Sequence, residues 1–133
     1  MPRGSPAPGS AEDWLSRASG DLALARAPLP AGGFYEDLCF HAQQAAEKAL
    51  KAVYVHHEWT FRYVHNLAVL IVGLERNGLE IPAEISAAIV LTAYAEASRY
   101  PGLSEPVTEG ERELAVAQAT AVVEWAESII GRS

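Results

Sequence analysis

The 133-residue chain holds a single cysteine, Cys39, so it can form neither an intramolecular disulfide nor a four-cysteine zinc site. A lone thiol of this kind is expected to be a core residue of a protein in a reducing compartment, and the expected location is cytoplasmic. Basic residues are few. Ten Lys and Arg stand against seventeen Asp and Glu, a formal charge of −7, which lacks the cationic footprint of non-specific nucleic-acid binding. Any phosphate contact must therefore be local. No run reaches the ~20 apolar residues of a membrane span, because Glu, Lys or Arg interrupts every candidate. Glycine builds no phosphate-cradling loop: Gly32 and Gly33 lead into Phe34, with no Gly-Lys-Ser or Gly-x-Gly-x-x-Gly. Residues 1–10, rich in Pro, Gly and Ser and without an apolar stretch, are expected to be a flexible tail rather than a targeting signal.

What is present is half hydrophobic, ample for one globular core, and 11–131 is expected to be a single domain. Apolar residues recur at spacings of three and four, and nothing alternates at period two for a strand's length, so the fold class is all-α. Ser10 caps a first helix, with Asp13 completing a capping box and Trp14, Ala18, Leu22 and Ala25 on one face; Pro28 and Pro30 end it. The second helix, from about Phe34 to His57, carries the seam Leu38, Ala42, Ala45, Ala49, Ala52 and His56, widened by Phe40, Leu50, Val53 and Tyr54. Alanine adds little hydrophobic area but lets a neighbouring helix approach closely, so this helix belongs at the centre of a bundle. Residues 58–65 are expected to be a packed loop. Asn66 caps a third helix through Leu67, Leu70, Ile71 and Leu74, stopped by Asn77 and Gly78. Pro82 opens a fourth, with Ile85, Ala88, Ile89, Thr92 and Ala95 along one face as far as Ser98. Thr108 and Glu111 box the start of a fifth, carrying Leu114, Ala117, Ala121, Trp125 and Ser128 and ending at Gly131. The expected architecture is an up-and-down bundle of five helices.

On the second helix, His41, Gln44, Lys48 and Lys51 follow three-four-three spacing and project from one side, flanked by Gln43 and Glu47. An imidazole, an amide and two ammonium groups on one rigid face suit a nucleotide phosphate or an RNA backbone; alternatively the face is solvated and Glu47 pairs with Lys51. Metal and cofactor chemistry is not expected. His56 and His57 point about 100° apart on a helix, and no His-x-x-x-His or Cys-x-x-Cys occurs. Ser98-Arg99-Tyr100-Pro101 presents a guanidinium and a phenol where a helix stops; Arg99 can take a phosphate bidentately or cap helix carbonyls.

Taken together, Trp14, Asp21-Leu22, the run Cys39-Phe40-His41-Ala42-Gln43-Gln44-Ala45-Ala46-Glu47-Lys48-Ala49-Leu50-Lys51-Ala52, His65-Asn66-Leu67 and Ser98-Arg99-Tyr100-Pro101 resemble the HEPN domain over nearly the whole chain. The resemblance implies a bundle that pairs into a homodimer with a polar cleft at the interface. It also implies toxin–antitoxin context, with a minimal nucleotidyltransferase as partner. Many HEPN proteins look like metal-independent endoribonucleases in which an arginine precedes a histidine by four to six residues. Arg99 stands at the arginine position, but Ser104, Glu105 and Pro106 occupy the places where the histidine belongs, and no histidine follows His65. Cleavage needs a group that moves a proton near neutral pH. The expectation is therefore a nucleotide- or RNA-phosphate-binding or partner-regulating domain, with His41, Gln44, Lys48, Lys51, Arg99 and Tyr100 as ligand-binding candidates. The alternatives are an endoribonuclease toxin with a displaced base, His41 or His65, and a structural adaptor for a nucleotidyltransferase.

Overall fold

A computed structural model describes residues 5–95 and 106–131 of the chain. Among them are five helical segments and no strand. α1 spans Ala11–Arg26 and starts where Ser10 turns extended and its hydroxyl accepts the Asp13 amide at 3.1 Å. The box is displaced by one residue: the Asp13 carboxylate takes the Gly9 amide rather than that of Ser10. That amide holds the Asp13 carboxyl below its usual range, helped by Arg17. At the other end Ala27, forced extended by Pro28, terminates the helix. The carbonyls left over at Ala25 and Ala27 are filled from far along the chain by the Arg112 guanidinium, at 3.0 and 2.9 Å.

α2, Tyr35–His56, is the axis of the molecule; thirteen of its 22 residues are buried, so no broad face is left for solvent. Ala42, Ala45, Ala46, Ala49 and Ala52 are fully enclosed, and α1 and α5 both lie against it. The alanine seam does what its small side chains allow, close helix approach, while Leu50, Leu67, Leu70, Leu74, Ile85 and Leu91 supply the bulk of the core. Cys39 belongs to that core. Burial pushes its thiol up to about 11, and Tyr94 beside it to about 12. His56, expected on the seam, is only half-buried, its ring edge-on to His57. Phe40 is half-buried as well.

α2 ends in a six-to-one, five-to-two carbonyl closure, with Glu58 N–H donating to Val55 and Trp59 N–H to Tyr54, that normally recruits glycine. Here Glu58 takes the left-handed conformation itself, at φ 60°. The 58–65 loop then packs as expected: Trp59 stacks on His57 at 4.2 Å, and Phe61 wedges between Trp14 and Tyr54 at 5.9 and 5.8 Å. α3, Leu67–Arg76, has all three of its leading amides satisfied. Asn66 takes those of Ala68 and Val69, and the Thr92 hydroxyl takes that of Leu67. Gly78, at φ 95°, closes the helix with the same motif as α2, this time on the residue suited to it.

Two faces differ from the pattern read in sequence. The fourth segment is one α-turn, α4 (Ala83–Ser86), running into a 3₁₀ helix at Ala87–Tyr94. With three residues per turn, positions three apart eclipse, so Ile85, Ala88 and Leu91 face inward while Ile89 and Val90 stand 42% and 58% exposed. Thr92 is turned toward α3, and residues 96–98 of the expected helix lie outside the described residues. In α5, Glu109–Ile130, the buried positions are Ala115, Ala119, Val122, Val123, Ala126 and Ile130, and Leu114 is 59% exposed. The observed stripe lies about 100° from the expected one, one residue further along. Both carry alanines, and the one chosen sets Ala115, Ala119 and Ala126 into the bundle, with Trp125 at its edge. At its start Thr108 accepts the Glu111 amide at 3.1 Å.

Candidate functional site: two carboxylate-centred clusters

The polar side of α2 divides into two clusters, each built on a buried carboxylate. In the first, Asp21 of α1 receives His41 Nδ1 at 3.0 Å and Lys48 Nζ at 2.6 Å. In the second, Glu47 receives His65 Nδ1 at 3.0 Å, Lys51 Nζ at 2.8 Å and the Gln43 amide at 3.1 Å. The arrangement repeats itself: one carboxylate bridges one imidazole and one ammonium. Gln44 joins the second cluster by donating to Gln43 Oε1 at 2.7 Å, and Gln43 also donates to the His65 carbonyl at 3.0 Å. His65 is thus tied to α2 through both backbone and ring, which fixes the loop where it enters α3.

Burial raises the Glu47 carboxyl, but the hydrogen bonds from Lys51, His65 and Gln43 outweigh it and hold the group below its usual range. An ionised carboxylate can only accept, so His65 Nδ1 carries a proton toward Glu47 and Nε2 is the ring nitrogen left for another group. At Asp21, already salt-bridged to Lys48, the same logic applies to His41. The two imidazoles are 32% and 61% exposed at His41 and His65. With Nδ1 held by a carboxylate, Nε2 is the nitrogen left to act: unprotonated it takes a proton, and once protonated its N–H donates to a phosphate oxygen.

Of the candidates on α2, His41, Gln44 and Lys48 are half-buried along one strip of the helix. Lys51 departs from that strip. Its side chain is 7% exposed, its charge is matched by Glu47, and its Nζ lies 5.7 and 5.4 Å from the Trp14 and Phe61 ring centroids. The i,i+4 pairing of Glu47 with Lys51 read as an alternative in sequence is formed, though buried rather than solvated. Arg99 and Tyr100 lie outside the described residues. Sequence reasoning missed Asp21 and Glu47 as anchors. The signal for Asp21 was its place in the four-three-four series Trp14, Ala18, Asp21, Ala25, a carboxylate on an otherwise apolar stripe.

The described helices match the crystal structure of an archaeal HEPN homologue, ST0689, with a TM-score of 0.73 and 30% identity, over 91% of this chain and 98% of that one. The HEPN domain family itself matches residues 11–129. The chain belongs to the HEPN family. Comparison with curated proteins gives no match. Within this HEPN domain, the matched span takes in both clusters and every helix up to the last turn of α5. Among the described residues no helix is long and apolar enough to cross a membrane.

Proposed function

We propose that this HEPN domain recognises the phosphate of a nucleotide or an RNA segment and acts on a partner through that recognition, without cleaving RNA. The observation that carries the reading is the pair of carboxylate-anchored imidazoles, His41 on Asp21 and His65 on Glu47, the first presented with Gln44 and Lys48 from the central helix and the second from the loop entering α3. Lys51 acts from behind, as the counter-charge that keeps Glu47 ionised. Arg99 and Tyr100 complete the site when two copies pair, with Gln44, Lys48 and Arg99 facing one cleft. Ile89, Val90 and Leu114, apolar and exposed on the fourth and fifth segments, support pairing of two copies. A minimal nucleotidyltransferase, in a toxin–antitoxin setting in the cytoplasm, is the partner this reading takes from the family.

The absence of a histidine after Arg99 argues for binding over cleavage. One observation favours a second reading: an imidazole held at Nδ1 by a carboxylate has the form of a general base, so an endoribonuclease with a displaced base, His65 or His41, is the competing function. Both are tested on the purified protein without metal, by RNA binding and RNA cleavage side by side, with Arg99→Ala and a His41→Ala, His65→Ala double variant. The expected result is binding that weakens in both variants and no cleavage from any of them. Cleavage that vanishes with Arg99→Ala or with the histidines would replace this reading by the second. Neither binding nor cleavage, with a nucleotidyltransferase still co-purifying, would leave the domain as an adaptor.

A further inference from the structure

Seven cationic side chains lie among the described residues, and five of them have protein partners. Arg17 pairs with Asp13, Lys48 with Asp21 and Lys51 with Glu47; Arg26 donates to Thr120, and Arg112 to the carbonyls ending α1. The remaining two are Arg62 and Arg76. Neither has a hydrogen-bond or ion-pair partner among the described residues, both are exposed, and both line one cleft between the 58–65 loop and α3. In a chain of formal charge −7, two unmatched arginines lining one cavity stand out.

The cleft measures about 400 Å³, within the roughly 300–1,000 Å³ of small-molecule sites. Its walls are apolar and held in place. Phe61 is pinned edge-on by Trp14 and tilted against Tyr54, and Tyr54 is locked by its hydroxyl donating to the Leu70 carbonyl at 2.6 Å. Gly73 makes room for that hydroxyl, which a Cβ at this position would overlap. Arg76 stands in the last turn of α3, where a cation suits the helix dipole, but the carbonyls there are already taken by the Asn77, Gly78 and Leu79 amides and the Asn77 side chain. Its guanidinium is available for something else.

We propose that this cleft binds a small organic anion with a flat apolar body, its negative group held between Arg62 and Arg76 and its ring laid against Phe61 and Val69. Guanidinium groups take carboxylate or phosphate through the same planar fork, so the chemistry common to both is what the site selects. None of the cluster residues on Asp21 and Glu47 lines it, although Phe61 is shared as a wall of the cleft and a cover over Lys51.

The test is an amide chemical-shift titration of the ¹⁵N-labelled full chain with AMP and with 1-naphthoate, an aromatic phosphate and an aromatic carboxylate. Adenosine and 1-naphthylmethanol serve as their uncharged counterparts. Saturable shifts at Arg62, Val69, Gly73 and Asn77 are expected from both anions, with the uncharged compounds weaker by at least about tenfold. An Arg62→Gln, Arg76→Gln double variant, altered only at exposed positions, should keep its spectrum and lose that preference. The proposal is overturned if neither anion gives saturable shifts at millimolar concentration. It is equally overturned if the uncharged compounds bind as well as the anions, or if the shifts fall at His41, Gln44 and Lys48 instead.

Discussion

Gly73 sits in the middle of α3, where alanine is ordinarily better by about 1 kcal/mol. A Cβ there would overlap the Tyr54 hydroxyl at the point where it donates to the Leu70 carbonyl. Gly73→Ala should therefore destabilise the protein by roughly 1–3 kcal/mol despite its helix propensity, seen as a lower urea midpoint with an unchanged slope. A neutral or stabilised variant would mean that Tyr54 re-seats without loss. Single residues were also where the sequence was hardest to read. Lys51 carries the same spacing signal as His41, Gln44 and Lys48, yet it is buried because Trp14 and Phe61, distant in sequence, close over it. Spacing along one helix reports a direction, not what stands in that direction.

Among the elements, α3 was legible in its Asn66 cap, its apolar face and its stop at Gly78, all local chemistry, while the Thr92 hydroxyl on the Leu67 amide comes from 25 residues away. The end of α2 was placed within a residue, but its means of closure was not legible, because Glu58 is a residue that ordinarily avoids the conformation it adopts there. Glu58→Gly should stabilise the fold by about 0.5–1 kcal/mol, measured as a raised thermal midpoint. An unchanged or lowered midpoint would show that the loop gains more from the side chain than the backbone loses. The inward faces of the fourth segment and α5 escaped sequence reading for a different reason. A 3₁₀ helix changes the period on which the face is counted, and α5 offers two alanine-bearing stripes between which only its neighbours decide. The carboxylate anchors of the candidate site belong here too: Asp21 and His41 sit on different helices, and only the packing of α1 on α2 makes them a pair.

For the molecule as a whole, the Glu47 cluster links stability to acidity. Its carboxyl titrates lower in the folded state than its ordinary 4.5 in the unfolded chain, so the stability it contributes is present above about pH 4.5 and is lost as pH falls through the folded value. Glu47→Gln strands the Lys51 charge in the interior and should cost about 2–4 kcal/mol near neutrality. The gap from the unaltered protein should narrow on acidification from about pH 6 to about pH 3, followed by denaturant titration at each pH. A gap that stays constant would mean that Glu47 is not ionised in the folded protein. The same cluster ties α2 to the loop entering α3, so its loss should be felt on the side of the molecule away from α5.

Ala11, the first residue of α1, and Ile130, the last of α5, are buried in one small apolar cluster with Ala52. The helical domain therefore begins and finishes at the same corner. A polypeptide joined at either end leaves from that corner, so a circular permutant linking the two needs only a short bridge, and a host chain interrupted by this domain would resume close to where it broke off.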